Sequence, residues 1–248
     1  MNIDYCVVSE QGLREDMEDN HCVIANFGGK GDQLFAGVFD GHGGTYAAHV
    51  ASTEISWQFL LHLGHGLSVR KAFLESFRKA SDDVIRAESS SGSCAMVLFI
   101  RKSAVFFANA GDSVLFACRD GRPWVLTNQH RIGNKDEEER IRNAGGRIDE
   151  GYVWVGNEGL ETLRTIGDSN FKDVGVIATP ECGVIRVLKP TLMLLGTDGL
   201  FDYVNATTIR RILSVGGSPD TICAGLHAAV KEARSMDNYT FMVFSLTP

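Results

Sequence analysis

Carboxylates beside glycine or asparagine recur along this 248-residue chain. Asp40 stands in Phe39-Asp40-Gly41-His42-Gly43-Gly44, Asp112 in Ala110-Gly111-Asp112-Ser113, Asp198 in Gly196-Thr197-Asp198-Gly199 and Asp237 in Met236-Asp237-Asn238. Glu18 and Asp19 stand side by side near the start. A small neighbour lets backbone approach a ligand closely. Its carbonyl can then join the carboxylate as a hard oxygen donor, and an all-oxygen set suits Mg²⁺ or Mn²⁺. Any one Asp-Gly reads most simply as a turn. Acids at the ends of several apolar runs are harder to dismiss, because runs that converge would bring them to one cation site.

The runs themselves read as strands. Tyr5–Val8, Cys22–Ala25 and Leu34–Phe39 are short and β-prone, and the third leads directly into Asp40. Ala95–Ile100, Val105–Ala110 and Val114–Cys118 follow in succession, with Lys102-Ser103 and Gly111-Asp112 as turns, which predicts a three-strand meander. Leu192–Gly196 and Thr240–Leu246 complete the set. Helices are predicted at 46–63, 69–86, 135–144, 207–215 and 219–234. The second is the clearest, with Val69, Ala72, Phe73, Phe77, Ala80 and Val84 on one stripe. The third is highly charged and reads as a solvated face. Strands in hairpins and helices in consecutive pairs argue against a doubly wound parallel sheet and for antiparallel sheets covered by helix pairs.

The totals exclude several classes. No apolar run approaches the roughly 18 residues of a membrane span. Net charge is −7, which disfavours nucleic acid and anionic membrane as partners. Met1-Asn2-Ile3-Asp4-Tyr5 has no signal-like apolar core and no Gly for myristoylation, so the expected place is cytoplasmic, with the nucleus open. The six cysteines form no Cys-x-x-Cys pair and sit mostly in apolar runs, as reduced buried thiols do. No linker or fixed-period repeat divides the chain, so one domain over 1–248 is expected.

At the motif level the chain resembles the metal-dependent type-2C protein phosphatases. Arg14-Glu15-Asp16-Met17-Glu18-Asp19 resembles the family's Arg-x-x-Met-Glu-Asp, and Phe39 to Gly44 a second motif. Ser91-Gly92-Ser93-Cys94-Ala95 is similar to Ser-Gly-Ser-Thr-Ala. Ala108 to Ser113, Glu139 to Gly146, Ile166-Gly167-Asp168, Thr197 to Asp202 and Asp237-Asn238 follow in the family's order. Together they span Arg14 to Asn238, and an ordered set of that extent is specific.

The resemblance implies an α+β fold, a four-layer αββα sandwich of two antiparallel sheets flanked by helix pairs, with metals at one end. It implies that Asp40 bridges two Mg²⁺ or Mn²⁺ ions and that the Gly41 carbonyl binds one. Glu18, Asp198 and Asp237 would complete the inner set, partly through water, with Asp19 water-mediated or behind it. Asp112 would pair with Asp198 at a weaker third metal. Two cations lower the pKa of a bridging water, which attacks phosphorus in line with the leaving serine or threonine oxygen and needs no phosphoenzyme. Arg14 would hold the phosphate with its planar fork, and His42 would act as general acid. His49, His62 and His65 have no paired acids and read as non-functional, and Arg164 and Asp168 read as structural. The segment from Gly151 to Gly159 falls where the family carries a variable flap. The implied activity is that of a monomeric protein serine/threonine phosphatase whose partner is a phosphorylated protein.

The chain departs from the pattern in places. Gln129 stands where an Asp usually precedes the histidine, in Gln129-His130-Arg131; Val114 follows Gly-Asp-Ser, where Arg is frequent; and Leu163 precedes Arg164, where Ser is usual. None of these is an expected inner metal ligand, so they bear on substrate preference and packing. A haloacid-dehalogenase-type reading needs Asp at position 42, which is His. An inactive phosphoprotein-binding module predicts lost ligands, and a small-molecule phosphatase would share the same centre.

Overall fold

The computed structural model describes residues 1–248. Its strands are β1 (Asn2–Glu10), β2 (Asn20–Ala25), β3 (Gln33–His42), β4 (Gly92–Arg101), β5 (Ala104–Ala110), β6 (Val114–Arg119), β7 (Arg122–Val125), β8 (Arg147–Asp149), β9 (Tyr152–Val155), β10 (Glu158–Leu160), β11 (Ile166–Gly167), β12 (Glu181–Arg186), β13 (Thr191–Gly196) and β14 (Tyr239–Thr247). Its helices are α1 (Tyr46–Gly64), α2 (Val69–Arg86), α3 (Lys135–Asn143), α4 (Ser169–Lys172), α5 (Asp198–Phe201), α6 (Ala206–Val215) and α7 (Pro219–Ala233).

Strand β3 explains the layering. Its run Leu34 to Phe39 is apolar at every position, so both faces must be covered. Phe35 and Phe39 point one way, into a core with α1 and α2 that includes Phe59, Phe73 and Phe77. Leu34, Ala36 and Val38 point the other way, against Met193, Leu195, Met242 and Phe244 of the facing sheet. Strand β14 repeats the logic: Phe241 and Val243 turn outward to Ile209, Leu213, Ile222, Leu226 and Val230 of α6 and α7. Two sheets, each apolar on both faces, must stack on each other and carry helices outside, which gives the expected four layers.

One sheet runs β1-β14-β13-β6-β7 and the other β12-β5-β4-β3-β2, with β11 added beside β4. Every named pairing is antiparallel. Side-chain caps fix three helix starts. Ser68, Asn205 and Ser218 accept the backbone N–H of Lys71, Thr208 and Thr221. No helix is long and apolar enough to cross a membrane.

Two expectations need correction. The three-strand meander does not form: β4 and β5 are a hairpin, but β6 lies in the other sheet beside β13. Gly111-Asp112 is therefore a crossing between sheets rather than a hairpin turn. It is braced by Asn109, whose Nδ2 donates to the carbonyls of Gly111 and Ser113. An apolar run with both faces buried does not reveal which sheet takes it. Helix α3 is also not simply solvated. Glu137 is buried and accepts hydrogen bonds from Arg140 and Arg164, which fastens α3 to the segment before β11.

Candidate active site

The acids come from both sheets and meet at one end of the sandwich. Asp40 is the third residue from the end of β3, Asp112 lies on the crossing from β5 to β6, Asp198 starts the short helix α5 after β13, and Asp237 precedes β14. Carboxylate oxygens of Asp40, Asp112 and Asp198 lie within 4.8 Å of one another.

Two glycines make this convergence possible by having no side chain. A Cβ on Gly41 would sit 2.4 Å from the Glu18 carbonyl oxygen, and one on Gly199 would sit 1.9 Å from that of Asn238. The Asp-Gly pattern thus marks backbone crossings that bring Glu18 beside Asp40 and Asp237-Asn238 beside Asp198. Asn238 ties the crossings together. Its Oδ1 accepts the Glu18 N–H at 2.8 Å, and its Nδ2 donates to the carbonyls of Gln11 at 2.7 Å and Asp16 at 3.0 Å.

Above the acids is a cleft of about 240 Å³. Arg14, Glu18, Asp40, Gly41, His42 and Asp112 line it, together with Asp198 and Asp237, and β10 with the residues after it form a further wall through Gly159 to Thr162. Asp19 stands apart from these. It is buried behind the cleft, where its Oδ2 accepts the Thr197 hydroxyl at 3.0 Å. Arg14 is at the rim with its Nη2 2.9 Å from Asp237 Oδ2. Glu18 Oε1 accepts the backbone N–H of Gly44.

The carboxylates are electrostatically uneasy together. Burial, then the charges of Asp198, Asp19 and Asp112, push the Asp40 carboxyl well above the usual range. Burial and Asp112 push Asp198 up to about 8, with Arg131 acting against them. Burial pushes Asp19 up to about 7, and hydrogen bonds from Thr240 and Thr197 oppose it. A divalent cation would relieve this repulsion, and the converging donors are nearly all oxygens, so the residues present fit Mg²⁺ or Mn²⁺.

His42 is not alone. Its Nε2 lies 3.0 Å from both Oδ1 and Oδ2 of Asp168, which is buried at the start of α4. Burial pulls the imidazole down, but the Asp168 carboxylate and then Asp112 and Glu18 outweigh it and raise the pKa above the ordinary value. Asp168, read from sequence as structural, is thus the partner of the candidate acid. Arg164 keeps its structural place, with its guanidinium on Glu137. Arg131, whose guanidinium contacts Asp112 and Asp198, is a residue that sequence reasoning missed. Its only signal was its position after the unusual Gln129-His130.

The fold is that of a solved protein. The serine-threonine phosphatase 2C from Toxoplasma gondii superimposes with a TM-score of 0.83 over 98% of this chain and 94% of that one, at 19% identity. A family model described as Protein phosphatase 2C matches residues 3–239. Among curated relatives, the probable protein phosphatase 2C 2 of Arabidopsis thaliana is 31% identical over 98% of this chain and 67% of its own. The probable protein phosphatase 2C 14 of the same organism is 31% identical over 84% of this chain and 48% of its own. The chain belongs to the protein phosphatase 2C family, and it spans about half to two thirds of the length of the curated relatives it matches. Members of that family depend on divalent metal, and the Asp40–Asp112–Asp198 cluster is compatible with this.

Proposed function

We propose that this chain removes phosphate from phosphoserine and phosphothreonine of protein substrates, with Mg²⁺ or Mn²⁺ held by its acids. The observation that carries the reading is the convergence of Asp40, Asp198, Asp237 and Glu18 on one cleft that also holds Arg14 and His42.

Asp40, the Gly41 carbonyl, Asp198, Asp237 and Glu18 are the residues that would hold the ions, with Asp19 supporting Thr197 from behind. Bound there, divalent metal supplies Lewis-acid activation of water and neutralises charge on the transferring phosphoryl group. Arg14, tethered by Asp237 at the cleft rim, is placed to fork onto two phosphate oxygens and orient the ester. His42 presents Nε2 to Asp168, which leaves Nδ1 as the ring atom to protonate the departing serine or threonine alkoxide. The Asp168 carboxylate fixes the ring and favours its protonated form, the form a general acid needs at neutral pH.

The test is phosphate release from a phosphothreonine peptide and from p-nitrophenyl phosphate, with Mn²⁺, Mg²⁺ or EDTA, by the chain and by its Asp40→Asn variant. The expected result is metal-dependent release that EDTA abolishes and that falls by at least about 10³-fold in the variant, since Asp40 would be a ligand of the metal that activates the water. Release that persists in EDTA, or none with either metal, would sink the proposal.

A further inference from the structure

The acidic centre already contains a cation of the chain's own. Arg131 donates from Nε to Asp112 Oδ2 at 2.5 Å, from Nη2 to Asp198 Oδ2 at 2.9 Å and from Nη1 to Asp202 Oδ2 at 2.7 Å, with Glu161 Oε1 3.5 Å from Nη1. Each guanidinium nitrogen thus serves a different carboxylate. The remaining groups of Asp112 are also taken. Its Oδ1 accepts from Cys94 Sγ at 3.3 Å, and its backbone carbonyl accepts from Gln129 Nε2 at 3.1 Å. Asp112 is only 2% exposed, so both carboxylate oxygens are engaged by protein and shielded from solvent.

This arrangement is built by backbone rather than by a wandering side chain. The His130 N–H donates to the Gly111 carbonyl at 3.0 Å, and the Gly111 N–H donates to His130 Nδ1 at 3.2 Å. The residue before Arg131 is therefore locked to the residue before Asp112. On its other side Arg131 forms a β-bridge with Thr162. Both ends of the guanidinium contact are held in register before any ligand arrives.

We propose that Arg131 fills the cation position between Asp112, Asp198 and Asp202, so that Asp112 binds no metal and the centre takes two divalent ions rather than three. The inference rests on the metal-centre reading above and departs from the third-metal role that the family resemblance implies for Asp112. A guanidinium keeps its charge at any working pH and matches carboxylates in a fixed fork. Mg²⁺ dehydrates reluctantly and demands near-ideal octahedral oxygen geometry. To enter here it would have to expel a pre-positioned cation and also accept the Cys94 thiol, a soft group, against its ligand.

The test counts ions by following free Mn²⁺ with electron paramagnetic resonance during titration, on the full chain, Arg131→Ala, Asp112→Asn, the double variant and Asp40→Asn. The expected stoichiometry is two ions for the chain and for Asp112→Asn, three for Arg131→Ala, and two again for the double variant. Three ions on the unaltered chain, falling to two in Asp112→Asn, would overturn the inference, as would two ions on a folded Arg131→Ala. If Arg131→Ala does not fold, Asp112→Asn decides alone: an unchanged count supports the inference and the loss of one ion overturns it. No binding by the unaltered chain, or binding that Asp40→Asn leaves intact, would instead overturn the metal-centre reading itself.

Discussion

The imidazole of His42 and the carboxylate of Asp168 meet across Gly92, where a Cβ would lie 2.3 Å from the imidazole Nε2 and 2.0 Å from the carboxylate Oδ2. That contact separates two kinds of substrate. A serine or threonine alkoxide is a poor leaving group and needs a proton, whereas p-nitrophenolate leaves without one. General acid catalysis typically contributes about 10²–10⁴-fold. His42→Ala is therefore expected to lower kcat on a phosphothreonine peptide by about 10²-fold or more while changing p-nitrophenyl phosphate by less than about tenfold. Asp168→Asn is expected to fall between His42→Ala and the unaltered chain on the peptide, and to shift the pH profile of kcat. Equal losses on both substrates would rule out proton donation by His42. The aspartates of the centre were legible in the sequence because each carries a glycine or asparagine beside it, whereas Glu18 was legible through the motif it shares with Asp19. Asp168 also follows a glycine, in Ile166-Gly167-Asp168, but its role was not legible because its partner lies 126 positions away. Arg131 was illegible for the same reason: its ligands come from residues 112, 198 and 202, and only the fold brings those together.

At the scale of elements, α1 and α2 stand on β3 and β4 through a stack of aromatic rings. Phe59 and Phe73 lie with centroids 4.4 Å apart, and Phe59 meets the edge of Phe99 at 5.0 Å. Phe59 is fully buried. Truncating such a ring removes its transfer energy and leaves a cavity, which costs about 3–5 kcal/mol. Phe59→Ala is expected to lower Tm by roughly 10 °C in a chain of this size, with ion affinity little changed, because the ring lies away from the cleft. A melting curve within about 2 °C of the unaltered chain would show that the cavity collapses. The long elements were readable because their faces are uniformly apolar or amphipathic, and α2 was placed at both ends. The elements missed were β7, β11, β12, α4, α5 and the strands β8, β9 and β10, which pair with one another. All but β12 are four residues or shorter, and several carry polar or exposed residues: Val184 in β12 is 54% exposed, and β8 is Arg147-Ile148-Asp149. Such strands are specified by what they pair with rather than by their own pattern. The wall that β10 gives to the cleft was therefore visible only as a glycine-bounded segment.

Across the whole molecule, stability and ion binding are joined through protons. Asp198 stands at about 8 in the folded chain and would return to about 3.9 on unfolding. Between those values the folded chain holds a proton that the unfolded chain has released, so stability falls as pH rises. The contribution is whole below about pH 4 and lost by about pH 8. Asp19, at about 7, acts with the same sign over a slightly narrower window. The metal-free protein is expected to melt at a lower temperature near pH 8 than near pH 5.5, and saturating Mn²⁺ is expected to reverse the difference by replacing the protons. A metal-free melting temperature that rises over that interval would contradict the assignment of Asp198.

Asp40 and Gly41 belong to the sheet that carries α1 and α2, while Asp198 follows β13 and Asp237 precedes β14 in the sheet that carries α6 and α7. Any ion held between them is a rivet through the sandwich, and its grip is a gauge of how far apart the two plates stand. The plates are spaced by Met96, Met193 and Met242, among others, well inside the molecule. A swollen residue there would pry the plates open and loosen the rivet without touching it, so the deep interior of this protein is a tuning screw for its surface chemistry.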